Sequence, residues 1–304
     1  MCILGENQLR EIASKHSEFY NYSYLSSGGQ QEVYKFEHNS NHYVLKSSLC
    51  RLNNESYIVD IVNHPSFSRI KREHDVLSNC TCDYLPKLGP IQFGCLKIDD
   101  NTYITYYSEE FIEGKTIRKL IQENYIPNFD ELVLLIKNIS NAIYYLWSNF
   151  KIVHRDIKPE NIIHNNSENK FVLLDLGIAY SSELTSLTFP GFIVGTKIYM
   201  SPEQLKGKDK RYLDMKSDFF SLGIVLYEFA TKIHPFYKNT INETERSILC
   251  EDPANPIQYN PEITEGLKKI IYRLLGKEPY SRYRNLKNLI EACNSLQFEK
   301  RGIS

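Results

Sequence analysis

Asp156, Lys158 and Asn161 stand together in the stretch IVHRDIKPENII, Ile152 to Ile163. Apolar, strand-like ends bracket them, so the spacing sets all three on one loop between two buried anchors. An aspartate placed there can accept a proton from a hydroxyl. A lysine two residues on can neutralise a transferring phosphoryl group, and an asparagine carbonyl can bind a hard cation. The next segment, FVLLDLGIA, is an apolar strand ending in Asp175, followed by Leu176 and Gly177. A carboxylate at a strand end, beside a flexible glycine, suits Mg²⁺ carrying phosphates. The linker HNNSEN between the two short strands reads as a turn, which lets Asn161 and Asp175 approach each other.

The elements that must position these residues follow from hydrophobic period. The first third reads as strands: VYKFEH and HYVLKS flank the polar turn Asn39-Ser40-Asn41, and IQFGCLKI and TYITYYSE flank Asp99-Asp100-Asn101. Each set is a predicted hairpin. Between them Phe67, Ile70 and Leu77 share one helical face. The last two thirds read mostly as helix. Leu132, Leu135, Ile136, Ile139, Ile143, Leu146, Trp147 and Phe150 form one long stripe, and Leu267, Ile270, Ile271, Leu274 and Leu275 repeat it with Gly276 as a stop. Leu286, Leu289, Ile290 and Cys293 predict a last short helix. A small β-rich part followed by a larger helical part is an α+β, two-lobed plan. Composition changes at EEFIEGKT, Glu109 to Thr116. The expected division is therefore an N-lobe with its N-terminal extension over 1–109, a hinge over 110–115 and a C-lobe over 116–304.

With 304 residues, 42% of them hydrophobic, the chain can bury a large core. Its formal net charge of −1 points to neither nucleic acid nor a membrane surface. Seven scattered cysteines are an odd count and no disulfide framework, and Cys80 and Cys82 lack the second pair that a zinc site requires. The N-terminus MCILGENQLREIASK has no basic region and no long apolar run, and no stretch approaches the roughly 20 apolar residues of a membrane span. A reducing, cytoplasmic setting is the expectation. Nothing in the sequence sets the oligomeric state.

Taken in order, these residues resemble the protein kinase family. His154-Arg155-Asp156 with Asn161 is similar to its catalytic-loop motif, Asp175-Leu176-Gly177 to its metal motif, and Ser201-Pro202-Glu203 to the motif that ends its activation segment. SDFFSLGIVLYE, containing Asp218, resembles the buried helix that supports the catalytic loop. EPYSRY supplies Arg282, which the resemblance pairs with Glu203. Together the motifs run from about Leu25 to Leu296, nearly the whole chain. Lys158-Pro159 and GTKIYMSPEQ look like serine/threonine rather than tyrosine kinases, and the wording is also similar to bacterial kinases of the eukaryotic type.

The resemblance implies a bilobal fold that binds ATP with Mg²⁺ (Mn²⁺ being the alternative) and acts on protein substrates. Lys46 would hold the α- and β-phosphates with Glu73 as its ion-pair partner, Glu55 being a distant rival. Asp156 would orient and deprotonate the hydroxyl, Lys158 would contact the γ-phosphate, and Asn161 and Asp175 would hold the metal. Val33, Val44 and Ile163 would sandwich the adenine, with the backbone of Glu110 and Ile112 at its edge. His154 is expected to be structural. Arg155 would meet phosphate on the segment from Asp175 to Glu203, where Thr185, Ser186 and Thr188 are the expected sites, and Thr196 is expected to contact Asp156 and Lys158.

Several positions depart from the family's pattern. Its three loop glycines fall on Ser26, Gly28 and Gln31, so only the middle one stands, with Gly29 beside it. Glu109 falls at the back of the adenine pocket, where a buried carboxylate needs a partner. The linker from Lys46 to Glu73 is longer than a connection needs. Two other functions fit a kinase-like chain: a scaffold without catalysis, and a kinase for small molecules. The intact set Lys46, Asp156, Asn161 and Asp175 argues against the first. GTKIYMSPEQ, which shapes a groove for an extended peptide, argues against the second.

Overall fold

Alternating apolar residues in the first third build an antiparallel sheet of five strands: β1 Tyr20–Gly28, β2 Gln31–His38, β3 Asn41–Arg51, β4 Gly94–Lys97 and β5 Thr102–Glu110, in the order β1-β2-β3-β5-β4. The computed structural model describes residues 5–16, 20–28, 31–52, 61–176, 197–207 and 213–300. The β2–β3 hairpin turns on Asn39 and Ser40, both in the left-handed region at φ 49° and 62°. That geometry suits the twist of an antiparallel pair, and Asn tolerates it better than most side chains.

The two faces of this sheet do different things. On one, Tyr34, Phe36, Leu45, Ile104 and Tyr106 form an apolar cluster with Leu9 and Ile12 of helix α1, Glu6–Lys15. On the other, alternation places Val33, Val44, Lys46, Tyr107 and Glu109 together, with Val33 opposite Lys46, Lys46 opposite Tyr107 and Val44 opposite Glu109. Helix α2, Pro65–Ser78, starts with His64 accepting from Ser66 N and buries Ile70, Glu73, Val76 and Leu77. The stretch between Arg51 and the 3₁₀ turn Ile61–Asn63 includes 53–60, which lie outside the described residues, Glu55 among them.

The chain separates into two compact units, one of Met1–Thr81 with Pro86–Ile112, the other of Cys82–Leu85 with Glu113–Ser304. Cys82–Leu85 join the second unit because Leu173 N donates to Tyr84 O at 2.9 Å.

That second unit is mostly helical: α3 Ile117–Gln122, α4 Phe129–Phe150, α5 Pro202–Leu205, α6 Met215–Thr231, α7 Ile241–Cys250, α8 Glu265–Leu274 and α9 Leu286–Lys300. A capping box of Asn128 and Glu131 starts α4, whose stripe from Leu132 to Leu146 is buried. Every residue of α6 except Lys216 is buried, as its near-continuous apolar sequence requires. A small sheet of β6 Lys115–Thr116, β7 Ile162–Asn165 and β8 Lys170–Leu173 frames the loop that carries Asp156.

Candidate active site

Ile152, Val153 and Ile157 are buried and pin the loop from within. Asp218, in the first turn of α6, fixes its backbone: Oδ2 accepts from His154 N and Oδ1 from Arg155 N, each at 2.8 Å. Burial pushes the Asp218 carboxyl up, and His154 and the two backbone N–H groups pull the other way. The grip holds Arg155 at φ 66°, a conformation that a non-glycine residue adopts only under constraint. The His154 ring is fully buried and donates from Nε2 to Leu174 O at 3.1 Å, a structural role.

Around Asp156 the side chains converge. Lys158 Nζ lies 2.9 Å from both carboxylate oxygens. Asn161 Nδ2 donates to Asp156 O at 2.9 Å and to Oδ2 at 3.0 Å. Leu174 N donates to Asn161 O at 2.8 Å, which brings the end of β8, and hence Asp175 at φ 50°, beside the loop. Because Asn161 makes its side-chain bonds through nitrogen, its Oδ1 keeps its lone pairs for a cation. Together with the Asp175 carboxylate this is a hard oxygen set, which fits Mg²⁺ better than a softer metal.

Two further residues named from the sequence meet in this unit. Arg282 and Glu203 form a two-pronged pair, with Nη1 2.7 Å from Oε1 and Nη2 2.8 Å from Oε2. Sequence reasoning did not find a second cluster. Arg118 Nε contacts Glu160 at 2.7 Å and Nη1 contacts Glu228 at 2.8 Å, while Tyr199 donates to Glu228 at 2.6 Å. Its only sequence signal is an arginine and two carboxylates far apart along the chain.

In the first unit Lys46 Nζ lies 2.9 Å from Glu109 Oε1, both side chains 4% exposed. The carboxylate that needed a partner has this lysine. Glu73 is engaged elsewhere: Oε1 takes Arg69 Nε at 3.2 Å, and Oε2 takes Gln31 Nε2 at 3.3 Å and Tyr107 OH at 3.2 Å. Tyr107 OH is also 3.1 Å from Glu109 Oε2, and Arg69 Nη2 donates to Gln31 Oε1 at 3.2 Å. Val44 and Ile112 are buried, and Val33 is half-buried. Glu110 N donates to Lys87 O, which leaves the carbonyl as the group it can offer a ligand. In the other unit Ile163 is half-buried on β7. Gly28 ends β1 opposite Gln31. Gly29, Thr185, Ser186, Thr188 and Thr196 lie outside the described residues.

The sequence profile of the protein kinase domain matches residues 20–295. The chain belongs to the protein kinase family. The chain is 28% identical over 272 residues to a probable serine/threonine-protein kinase of Clostridium perfringens, covering 88% of this chain and 36% of that protein. It is 32% identical over 194 residues to a probable serine/threonine-protein kinase of Clostridium acetobutylicum, covering 64% of this chain and 29% of the relative. The serine/threonine-protein kinase PrkC of Bacillus subtilis is 31% identical over 192 residues, or 63% of this chain and 28% of its own length. The chain therefore spans about a third of the length of these relatives. Among its described residues no helix is long and apolar enough to cross a membrane.

Proposed function

We propose that this kinase transfers the γ-phosphoryl group of Mg-ATP to serine and threonine hydroxyls of protein substrates. The observation that carries the reading is the arrangement at Asp156, with a lysine on both of its oxygens and an asparagine amide on its flank. Asp156 accepts the hydroxyl proton as the oxygen attacks. Lys158, released from Asp156, steadies the charge on the transferring group. Asn161 and Asp175 are the residues assigned to hold Mg²⁺, which supplies charge neutralisation on the phosphates. Lys46 is assigned to the α- and β-phosphates, Val33, Val44 and Ile163 to the adenine, and the backbone of Glu110 and Ile112 to its polar edge. Chemistry of this kind rests on positioning and charge, not on covalent intermediates. We include in the reading autophosphorylation between Asp175 and Glu203, read by Arg155. The bacterial relatives named as serine/threonine kinases support the choice of acceptor.

Radiolabelled ATP with the purified chain and a generic protein substrate tests the reading. Label on serine and threonine is expected, with Asp156→Asn lower by about a hundredfold or more. Label equal to that of Asp156→Asn, label on tyrosine alone, or label in a small metabolite but in no protein would overturn it.

A further inference from the structure

Glu160 lies in the 3₁₀ turn Pro159–Asn161, four residues past Asp156, with its side chain 44% exposed. Four residues span at most about 14 Å, and a 3₁₀ turn shortens that reach. A peptide that brings its hydroxyl to Asp156 in extended form covers the same distance in about four residues. A cationic side chain on such a peptide therefore comes within range of Glu160. Glu228 of α6 stands beside it, 8% exposed, on the same guanidinium. Left to themselves, two carboxylates so placed would select a basic peptide, because arginine pairs readily with carboxylates.

The chain supplies that arginine itself. Arg118 is the second residue of α3, and its side chain is 25% exposed. Its Nε donates to Glu160 Oε1 at 2.7 Å, Nη1 to Glu228 Oε1 at 2.8 Å, and Nη2 to Tyr199 OH. Tyr199 donates in turn to Glu228 Oε2 at 2.6 Å, so both oxygens of Glu228 are taken. Burial pushes the Tyr199 phenol up and Glu228 adds to the shift, which keeps the donated proton in place. Tying α3 to the loop would need one carboxylate. The second acid and the phenol make a closed set, with no oxygen of Glu228 left for a substrate. An arriving arginine must displace Arg118 from three contacts, or share Glu160 with a cation already 2.7 Å from it.

We propose that Arg118 is a specificity-determining residue, which neutralises Glu160 and Glu228 and so removes the preference for basic peptides that the two acids would confer. This rests on the proposed transfer to serine and threonine at Asp156. The acceptor sequences that fit are neutral or acidic around the hydroxyl.

Steady-state kinetics of the full chain on synthetic peptides tests the assignment. The parent is a neutral serine peptide, and a single arginine is moved through the four positions on either side of the serine. For wild type, no arginine peptide should exceed the parent in kcat/KM by more than about fivefold, the ceiling of an exposed ion pair. Arg118→Gln frees a bond to a charged group, so the ratio of arginine peptide to parent should rise about tenfold in at least one position. A general structural defect would lower both peptides together and leave the ratio alone. Glu160→Gln added to Arg118→Gln should take back part of the gain. Should Arg118→Gln fail to fold, Arg118→Lys keeps the charge without the fork and cannot span all three partners. The ratio should then rise about threefold. A wild-type preference for arginine above fivefold, an unchanged ratio in the variant that folds, or a gain untouched by Glu160→Gln overturns the proposal. No label from wild type on any peptide or protein would instead overturn the proposed transfer itself, which keeps the two failures distinct.

Discussion

Arg282 holds Glu203 by both carboxylate oxygens, at 2.7 and 2.8 Å, with the two side chains 0% and 4% exposed. The remaining donors of the guanidinium go to carbonyls, Nε to Gly276 O, Nη1 to Lys216 O and Nη2 to Lys277 O, and Ser217 Oγ donates to Glu203 Oε1. Burial pushes the Glu203 carboxyl up, but Arg282 outweighs it and holds the group below its ordinary 4.5. A carboxyl with a depressed pKa stabilises the fold at neutral pH, and that contribution is lost as pH falls through the folded value. Arg282→Met should cost about 3–5 kcal/mol, because it leaves a buried carboxylate facing apolar atoms. Glu203→Gln added to Arg282→Met should recover part of that loss. Urea denaturation of both variants checks it, and a double variant no more stable than the single one would contradict it.

His234 gives a pH dependence of the same sense from the opposite kind of group. Its Nε2 donates to Ile198 O at 3.1 Å and its Nδ1 accepts from Phe236 N at 3.2 Å, which is the neutral ring with both nitrogens used. Burial holds it down to about 4. The unfolded histidine takes its proton near 6.5, so between 6.5 and about 4 the unfolded state binds more protons than the folded one. Stability from this site is therefore complete above 6.5 and declines as pH falls, by about 3 kcal/mol over the window. His234→Gln lacks the proton, so the stability gap between wild type and variant should narrow from pH 7 to pH 4. A gap that stays constant across that range would show that the ring is not held neutral.

What the sequence reveals about this site depends on how far apart the cooperating residues lie. Asp156, Lys158 and Asn161 share one loop, so the roles proposed for them need only their types and spacing and no tertiary knowledge. Strand alternation likewise puts Val44 and Lys46 on one face. The Lys46–Glu109 pair was not legible, since it depends on the β3–β5 register, which aligns Val44 with Glu109. The Arg69–Glu73 pair was legible in principle at i,i+4 spacing, but the spacing does not say that Glu73 is buried. Helix α1 is not legible in the sequence for another reason. In ENQLREIASK Leu9 and Ile12 are the large apolar residues, and their burial comes from the sheet beneath them rather than from any local signal.

Gln31 stands where the family pattern places a glycine, and the structure gives it work to do. It is 5% exposed, donates to Glu73 and accepts from Arg69. Gln31→Gly removes both bonds and adds chain freedom, so it should lower stability by about 1–3 kcal/mol. Backbone N–H groups at the turn survive the change, so the KM for ATP should fall or stay the same. Thermal unfolding and ATP titration of the one variant check both halves. Unaltered stability would show that the Gln31 bonds to Glu73 and Arg69 add nothing to the fold, and abolished activity would mean that the loop is not a phosphate cover that tolerates glutamine.

Asp218 is the residue through which the buried helix α6 holds the loop that carries Asp156. Each of its oxygens accepts one backbone N–H, from His154 and Arg155, at 2.8 Å. Asparagine has the same shape but one acceptor, so Asp218→Asn turns an amide N–H₂ toward a backbone donor. The bond lost is one to a charged group, worth about 1.5–3 kcal/mol. Arg155 at φ 66° then has less to hold it, and Asp156 follows it in the chain. A displacement of the proposed base Asp156 by about 1 Å can cost on the order of a hundredfold in rate, so kcat should fall by about 10–100-fold. The KM for ATP should change less than kcat, because Lys46, Val33, Val44 and the backbone of Glu110 and Ile112, assigned to the α- and β-phosphates and the adenine, lie elsewhere in the chain. Steady-state kinetics and denaturation of the same preparation decide the matter: an intact kcat beside reduced stability would make Asp218 a support of the fold alone.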